Sequence, residues 1–187
     1  MNSVDWEQQW ALFAENFHDG KAHINLGNQV LKLKPGPGFG DLSHPTTALM
    51  LELMQGRIKD EIIFDIGSGS GILSLAAALL GAKKTYGIDI DPDAIEHSRA
   101  NAELNGLEKK CLFSMELPRS RAICLMNMIF PEQKGFGPER IKAKLWITSG
   151  ILIKQKEEYL RQAQIWGWRL QELRTQDQWL GAVFSVS

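Results

Sequence analysis

Apolar residues along this chain switch between two periods, and the switches divide it into strands and helices. Ile62, Ile63, Phe64 and Ile66 form a short apolar run bounded by turn residues, the pattern of a strand covered on both faces. Ile72 to Leu80 is rich in leucine and alanine and reads as a helix that Gly81 can end in a left-handed cap. Thr85 to Ile90 is a second strand. Pro92 opens a helix to about Leu104, stopped by Asn105 and Gly106. Cys111 to Ser114, Ala122 to Met126 and Lys144 to Ile153 read as three more strands, and Lys154 to Trp166 as a charged, amphipathic helix. Gly167 to Thr175 and Gln178 to Val186 close the chain as an antiparallel pair around Asp177. Seven strands with interleaved helices predict a three-layer α/β domain.

Ahead of these elements, Trp6, Trp10, Phe13 and Phe17 fall on one helical face, and Asp5 with Gln8 resembles a capping box. This predicts a docking helix within residues 1–20, laid on a domain covering 21–187. Its aromatic stripe is read as core contact, with a partner interface as the other reading. Val30-Leu31-Lys32-Leu33-Lys34 alternates like a short strand or hairpin. The stretch from Pro35 to Thr47 holds too many glycines and prolines for regular structure and is a defined loop. Pro45 can start the next helix, with Ser43 or His44 near its cap; Leu49, Met50, Leu53 and Met54 give it an apolar face, and Gly56 ends it.

The stretch Glu61–Asp91 therefore predicts one βαβ unit with a nucleotide-type site at its mouth. A dinucleotide fingerprint needs glycines at its first, third and sixth positions. Here the sequence is Gly67-Ser68-Gly69-Ser70-Gly71, and the sixth position is Ile72. Asp65 stands immediately before the loop, where it would repel a pyrophosphate and favour a cation. S-adenosylmethionine carries a sulfonium, an ammonium and a ribose but no phosphate. Asp65 suits its cationic end, the loop amides suit its carboxylate, and Asp89, 22 residues after Gly67, suits the ribose hydroxyls. The bland alternative makes the glycines a tight turn and Asp89 a helix cap. Asn127, at the C-terminal end of its strand, should face the same crevice, because ligands of open parallel sheets sit there; otherwise it is a turn residue. Thr46 and Thr47 can offer hydroxyls from a first helical turn. His44 is a candidate proton acceptor or substrate contact, or simply a cap.

Composition adds bounds. With 187 residues, 44% of them apolar, the chain can bury one substantial core. A net charge of −1 argues against a nucleic-acid binder that works by phosphate neutralisation, and Lys83-Lys84 and Lys109-Lys110 read as solvated loop ends, with a local basic patch for an RNA-rich partner as the other reading. Cys111 and Cys124 lack metal spacing and read as buried thiols in a reducing compartment. The acidic N-terminus is no secretion signal, and no apolar run is long enough to span a bilayer. The expectation is a cytoplasmic protein with no membrane contact and no direct nucleic-acid binding.

The motifs together resemble the bacterial ribosomal-protein lysine methyltransferases of the PrmA family, which modify large-subunit ribosomal protein eleven. The match runs through Asp5-Trp6 with Trp10, Lys34-Pro35-Gly36 with Phe39-Gly40, and His44-Pro45-Thr46-Thr47. It continues through Asp65 to Leu73 and Gly87 to Asp91, and closes with Asn127-Met128-Ile129 and Ser149-Gly150-Ile151-Leu152. The resemblance implies a Rossmann-like class I S-adenosylmethionine-dependent methyltransferase, with a seven-stranded, mostly parallel sheet and helices on both faces. It implies cofactor contacts at Thr47, Gly67, Asp89 and Asn127, and methyl transfer to amino groups of a protein. The full set of expected cofactor contacts is Thr46, Thr47, Asp65, Gly67, Ser68, Gly69, Gly71, Asp89, Ile90 and Asn127, with Asn127 and His44 as catalytic candidates and no metal. Two departures stand out. Family members carry an N-terminal recognition domain ahead of the point where this chain begins, and Asp41-Leu42-Ser43 replace the usual threonine and glycine before the histidine. Other readings are a methyltransferase for another protein or a small molecule, a silent cofactor-binding module, and an NAD-dependent oxidoreductase, which Ile72 and Asp65 disfavour.

Overall fold

The computed structural model describes residues 5–14, 16–38 and 44–186. The chain begins with helix α1 (Trp6–Phe13), whose first turn is capped by Asp5 accepting from the Gln8 N–H at 3.0 Å. The aromatic stripe suggested a helix reaching Phe17. Instead Asn16 takes a left-handed φ of +53°, and Phe17 opens a strand. Strands β1 (Phe17–His18), β2 (Lys21–Leu26) and β3 (Gln29–Leu33) form a small antiparallel sheet, so the alternating piece is one arm of a hairpin. Helix α2 (Pro45–Met54) follows. The Asp41-Leu42-Ser43 departure lies outside the described residues.

Next come β4 (Ile62–Ile66), α3 (Ile72–Leu79), β5 (Lys84–Ile88), α4 (Pro92–Leu104), β6 (Cys111–Ser114) and β7 (Ala122–Asn127). They are followed by α5 (Phe130–Phe136), β8 (Ala143–Leu152), α6 (Lys156–Ile165), β9 (Trp168–Gln176) and β10 (Trp179–Val186). The sequence pattern did not reveal α5, which is short and interrupted by Pro131 and Gly135.

The main sheet has seven strands in the order β6-β5-β4-β7-β8-β10-β9. The strands from β4 to β8 run parallel, while β10 is antiparallel to both of its neighbours. Alternate residues feed opposite faces, as the pleat requires. Ile63, Ile123, Leu125 and Ile147 join α3, α4, Trp10 and the small sheet in one core. Phe64, Cys124, Met126 and Trp146 join Phe130 of α5, Tyr159 and Ala163 of α6, and Phe184 in the other. Helices thus cover both faces, and the class expected of the sequence is the one observed. Both cysteines are buried and free, and burial raises both thiols, Cys111 to about 11, so neither is a nucleophile at neutral pH. No helix among the described residues is long and apolar enough to cross a membrane.

Candidate functional site

The site lies at the C-terminal ends of the parallel strands, in a cleft of about 760 Å³. Its base is the turn between β4 and α3. Gly67, Gly69 and Gly71 all have positive φ, at +71°, +53° and +83°, so this path is closed to ordinary side chains. Space demands the same of Gly67, because a Cβ there would stand 2.7 Å from the Met128 sulfur. The Gly67 and Ser68 N–H groups both donate to the Ile88 carbonyl at 2.9 Å, tying the turn to β5.

Asp89 sits just past β5. One carboxylate oxygen accepts from the Gly69 N–H at 3.0 Å and the other from the Asp91 N–H at 3.1 Å. It holds two turns together and still faces the cleft, so the capping role and the ligand role coexist. Ile90, 91% exposed, and Met115, 62% exposed, line the cleft beside it and form apolar surfaces suited to a flat aromatic group.

Asp65 behaves differently from the sequence expectation. Its side chain does not line the cleft but lies buried under the glycine turn. One oxygen accepts from both the Ser74 N–H (3.0 Å) and the Ser74 hydroxyl (2.8 Å), in the first turn of α3. Its other oxygen has no hydrogen-bond partner. Burial pushes its pKa up to about 6, opposed by the Ser74 hydrogen bonds. The physical reason is strand alternation: Ile66 lines the cleft, and Asp65 points to the α3 side. An unpartnered buried carboxylate oxygen leaves an unmet demand for positive charge at this end of the site.

The opposite wall comes from distant parts of the chain. Asn127 ends β7, in register with Ser149. Behind it, the Gln133 amide donates to the Met128 and Ser149 carbonyls at 2.7 and 2.8 Å. The Tyr159 hydroxyl bridges the Gln133 amide oxygen and the Thr148 hydroxyl. This buried network fixes the strand ends carrying Asn127 and Gly150. Gly150, at φ +88°, lies so close to Met128 that a Cβ would be 2.2 Å from its carbonyl oxygen.

His44 is both cap and wall. Its Nδ1 lies 2.8 Å from the Thr46 hydroxyl and accepts from the Thr46 N–H at 3.4 Å, while its ring packs edge-on against Trp179 at 5.0 Å. Thr46 lines the cleft; Thr47, Ser68 and Gly71 lie behind its surface. Of the expected residues, then, His44, Thr46, Gly67, Gly69, Asp89, Ile90 and Asn127 come together around one space.

Sequence reasoning missed Trp179, Met115, Met128, Ile129, Glu132 and Phe136, which also line the cleft. It also missed His97, which holds the loop over the turn. The His97 Nε2–H donates to the Lys34 carbonyl at 2.7 Å, and its Nδ1 accepts from the Gly38 N–H at 3.1 Å. Asn101 accepts from the Lys34 N–H and donates to the Ser70 carbonyl. Gly38 thereby presses on the turn so closely that a Cβ would fall 2.4 Å from the Gly69 carbonyl carbon. Trp10 of α1 packs edge-on against the same histidine at 5.9 Å. The helical spacing of His97 and Asn101 on α4 was the available signal.

A family model described as Ribosomal protein L11 methyltransferase (PrmA) matches residues 5–186. The ribosomal protein L11 methyltransferase of Thermoanaerobacter pseudethanolicus is 31% identical over 198 residues, covering 96% of this chain and 64% of that protein. That of Shewanella pealeana is 37% identical over 181 residues, covering 82% and 59%. The chain thus spans about 60% of the length of these curated relatives. The crystal structure of the ribosomal protein L11 methylase from Lactobacillus delbrueckii subsp. bulgaricus superposes with a TM-score of 0.73 at 24% identity, covering 83% of this chain and 84% of that one. The Pyrococcus abyssi tRNA (uracil-54, C5)-methyltransferase, solved with S-adenosyl-L-homocysteine, gives 0.67 at 18% identity, over 90% and 45%. The fold is shared with both, and the sequence match is specific: the chain belongs to the ribosomal protein L11 methyltransferase (PrmA) family.

Proposed function

We propose that this chain is an S-adenosylmethionine-dependent methyltransferase that methylates amino groups of a protein, with a ribosomal protein as the acceptor. One observation carries the reading. A single cleft of about 760 Å³ joins a cofactor half, around the glycine turn and Asp89, to a second half lined by His44, Thr46, Asn127, Glu132 and Trp179. The residues fit the cofactor. Asp89 can take the ribose hydroxyls, and Ile90 and Met115 the adenine, while the Gly67, Ser68, Gly69 and Gly71 amides already donate within the protein and are not available to the carboxylate. The unpartnered Asp65 oxygen leaves negative charge beneath the methionine end. When bound, the cofactor supplies an electrophilic methyl group on a sulfonium.

The protein's part is positioning and water exclusion. Asn127 can accept a hydrogen bond from the acceptor amine through its side-chain oxygen and so aim the nitrogen lone pair. Met128, Ile129, Phe136 and Trp179 give that amine an apolar surrounding, which favours its neutral, nucleophilic form. His44 stands at the same wall to take up the proton, but Nδ1 is already committed to the start of α2. Proton transfer at that nitrogen would weaken the cap.

Calorimetry with S-adenosylmethionine and with NAD tests the cofactor; tight NAD binding without binding of the methionine cofactor would remove the reading. Incubation with labelled cofactor then tests the acceptor, using ribosomal protein L11 and whole lysate. Label on L11 supports it, label only on other proteins or small molecules moves the acceptor class, and cofactor binding without turnover marks a silent module.

A further inference from the structure

The net charge of −1 hides a segregation that the fold creates. The five strands from β4 to β8 are parallel, so all of their N-terminal ends lie along one edge, opposite the cleft. The ladder aligns Thr85 with Cys111, Lys84 with Ile62, Ile63 with Ile123, and Ala122 with Ala143. Stepping back one or two residues along each strand meets Lys109 and Lys110, Lys83 and Lys84, Glu61, Arg121 and then Lys142. Lys59 and Arg119 enter at the same edge, and Lys144 lies one residue into β8. Lysine pairs that look like separate loop ends in the sequence are neighbours in space.

Three of these cations are engaged. Lys144 pairs with Glu61 at 2.5 Å, the Lys110 amine donates to the Ala78 carbonyl, and Lys84 lies over the Tyr86 ring. Lys59, Lys83, Lys109, Arg119, Arg121 and Lys142 are exposed and have no ion-pair partner among the described residues. The acids in the same strand-start segments are Asp60, Glu61 and Glu108, of which Glu61 is already paired. Five strands spaced roughly 4.8 Å apart give a strip about 19 Å long.

We infer that this strip docks the phosphate backbone of RNA, without reading its sequence. A protein interface needs an apolar centre, and a lipid surface rewards apolar insertion. Of the exposed large apolar side chains among the described residues, Leu112, one residue into the edge strand β6, lies beside this line of cations, at its end and not at its centre. Single-file cations over several phosphate spacings supply the contact that positions a nucleic acid without specifying bases. The choice of RNA rests on the proposed ribosomal acceptor, whose surroundings are RNA. The site itself is remote from the cleft.

Fluorescence anisotropy with two labelled RNA 20-mers of unrelated sequence tests this, using the whole chain. Equal binding of both is expected, with log K against log salt sloping between about −2 and −4, from roughly 0.7 per phosphate neutralised. The triple variant Lys83→Glu, Lys109→Glu, Arg121→Glu should bind at least tenfold more weakly while keeping its affinity for S-adenosylmethionine. The control Lys154→Glu, Lys156→Glu, Arg161→Glu makes the same charge change away from the strip and should lose less than threefold. No RNA binding, equal losses in both variants, or tighter binding of a poly-aspartate peptide than of RNA would overturn the proposal. Failure here with intact methyl transfer leaves the proposed function standing; the reverse outcome removes only the latter.

Discussion

At Asp65 the carboxylate is buried with one oxygen on Ser74 and the other without a partner, and its folded pKa of about 6 lies above the ordinary 3.8. A carboxyl raised by folding adds no penalty below pH 3.8, and stability is lost as pH rises through 6, by about 3 kcal/mol for this shift. The difference in unfolding free energy between wild type and Asp65→Asn should therefore grow from pH 4 to pH 7.5, with the variant gaining. Cofactor binding should run the other way. A cation placed above the carboxylate favours its ionised form, so wild-type affinity should fall as pH drops through 6 and the variant's should be flat. A pH-independent wild-type affinity would separate Asp65 from the cofactor. Asp89→Ala should cost about 1.5–3 kcal/mol of cofactor binding by calorimetry, the value of a hydrogen bond to a charged group. The placing of both acids on either side of the glycine turn was legible in the sequence, from their types and spacing. Which way Asp65 points was not, since that depends on which helix covers its face of β4.

Among the elements, the segment from Lys34 to Gly38 shows how a loop is held by a helix it never joins. His97 accepts at Nδ1 and donates at Nε2, so the ring is neutral, and burial lowers its pKa in keeping with that. Gly38→Ala should push this segment off the glycine turn and weaken cofactor binding at least tenfold with unchanged far-ultraviolet circular dichroism. Unchanged affinity would show that the segment does not shape the turn. Trp179 belongs to the other half of the cleft. Trp179→Ala should lower methyl transfer by a factor of 10 or more while cofactor affinity moves less than threefold. Gln178–Val186 reads as a closing strand, but the register and neighbours of β10 decide that Trp179, its first residue, reaches the cleft. Helix α5 was missed because seven residues with a proline and a glycine carry no readable period. Helix α1 was overextended because an aromatic repeat cannot register the left-handed turn at Asn16.

For the molecule as a whole, the layer architecture was legible because each strand's apolar run and each helix's stop signal is local. Strand order, the small sheet and the pooling of charge at one edge come from pairings distant in sequence. The small sheet shares its core with α3 and α4, so thermal unfolding followed by tryptophan fluorescence and by circular dichroism should coincide. Separate transitions would mean that the N-terminal sheet is an independent unit. The order β8-β10-β9 has a further consequence, for how the protein is made. Strand β9 is synthesised before β10 yet cannot reach β8 until β10 slides between them. A growing chain complete to Gln176 therefore holds β8 as an open edge, because β10, the strand that pairs with it, has not yet been translated. During that interval the nascent chain is most exposed to pairing with another copy of itself, and a pause in translation just after β9 would lengthen it.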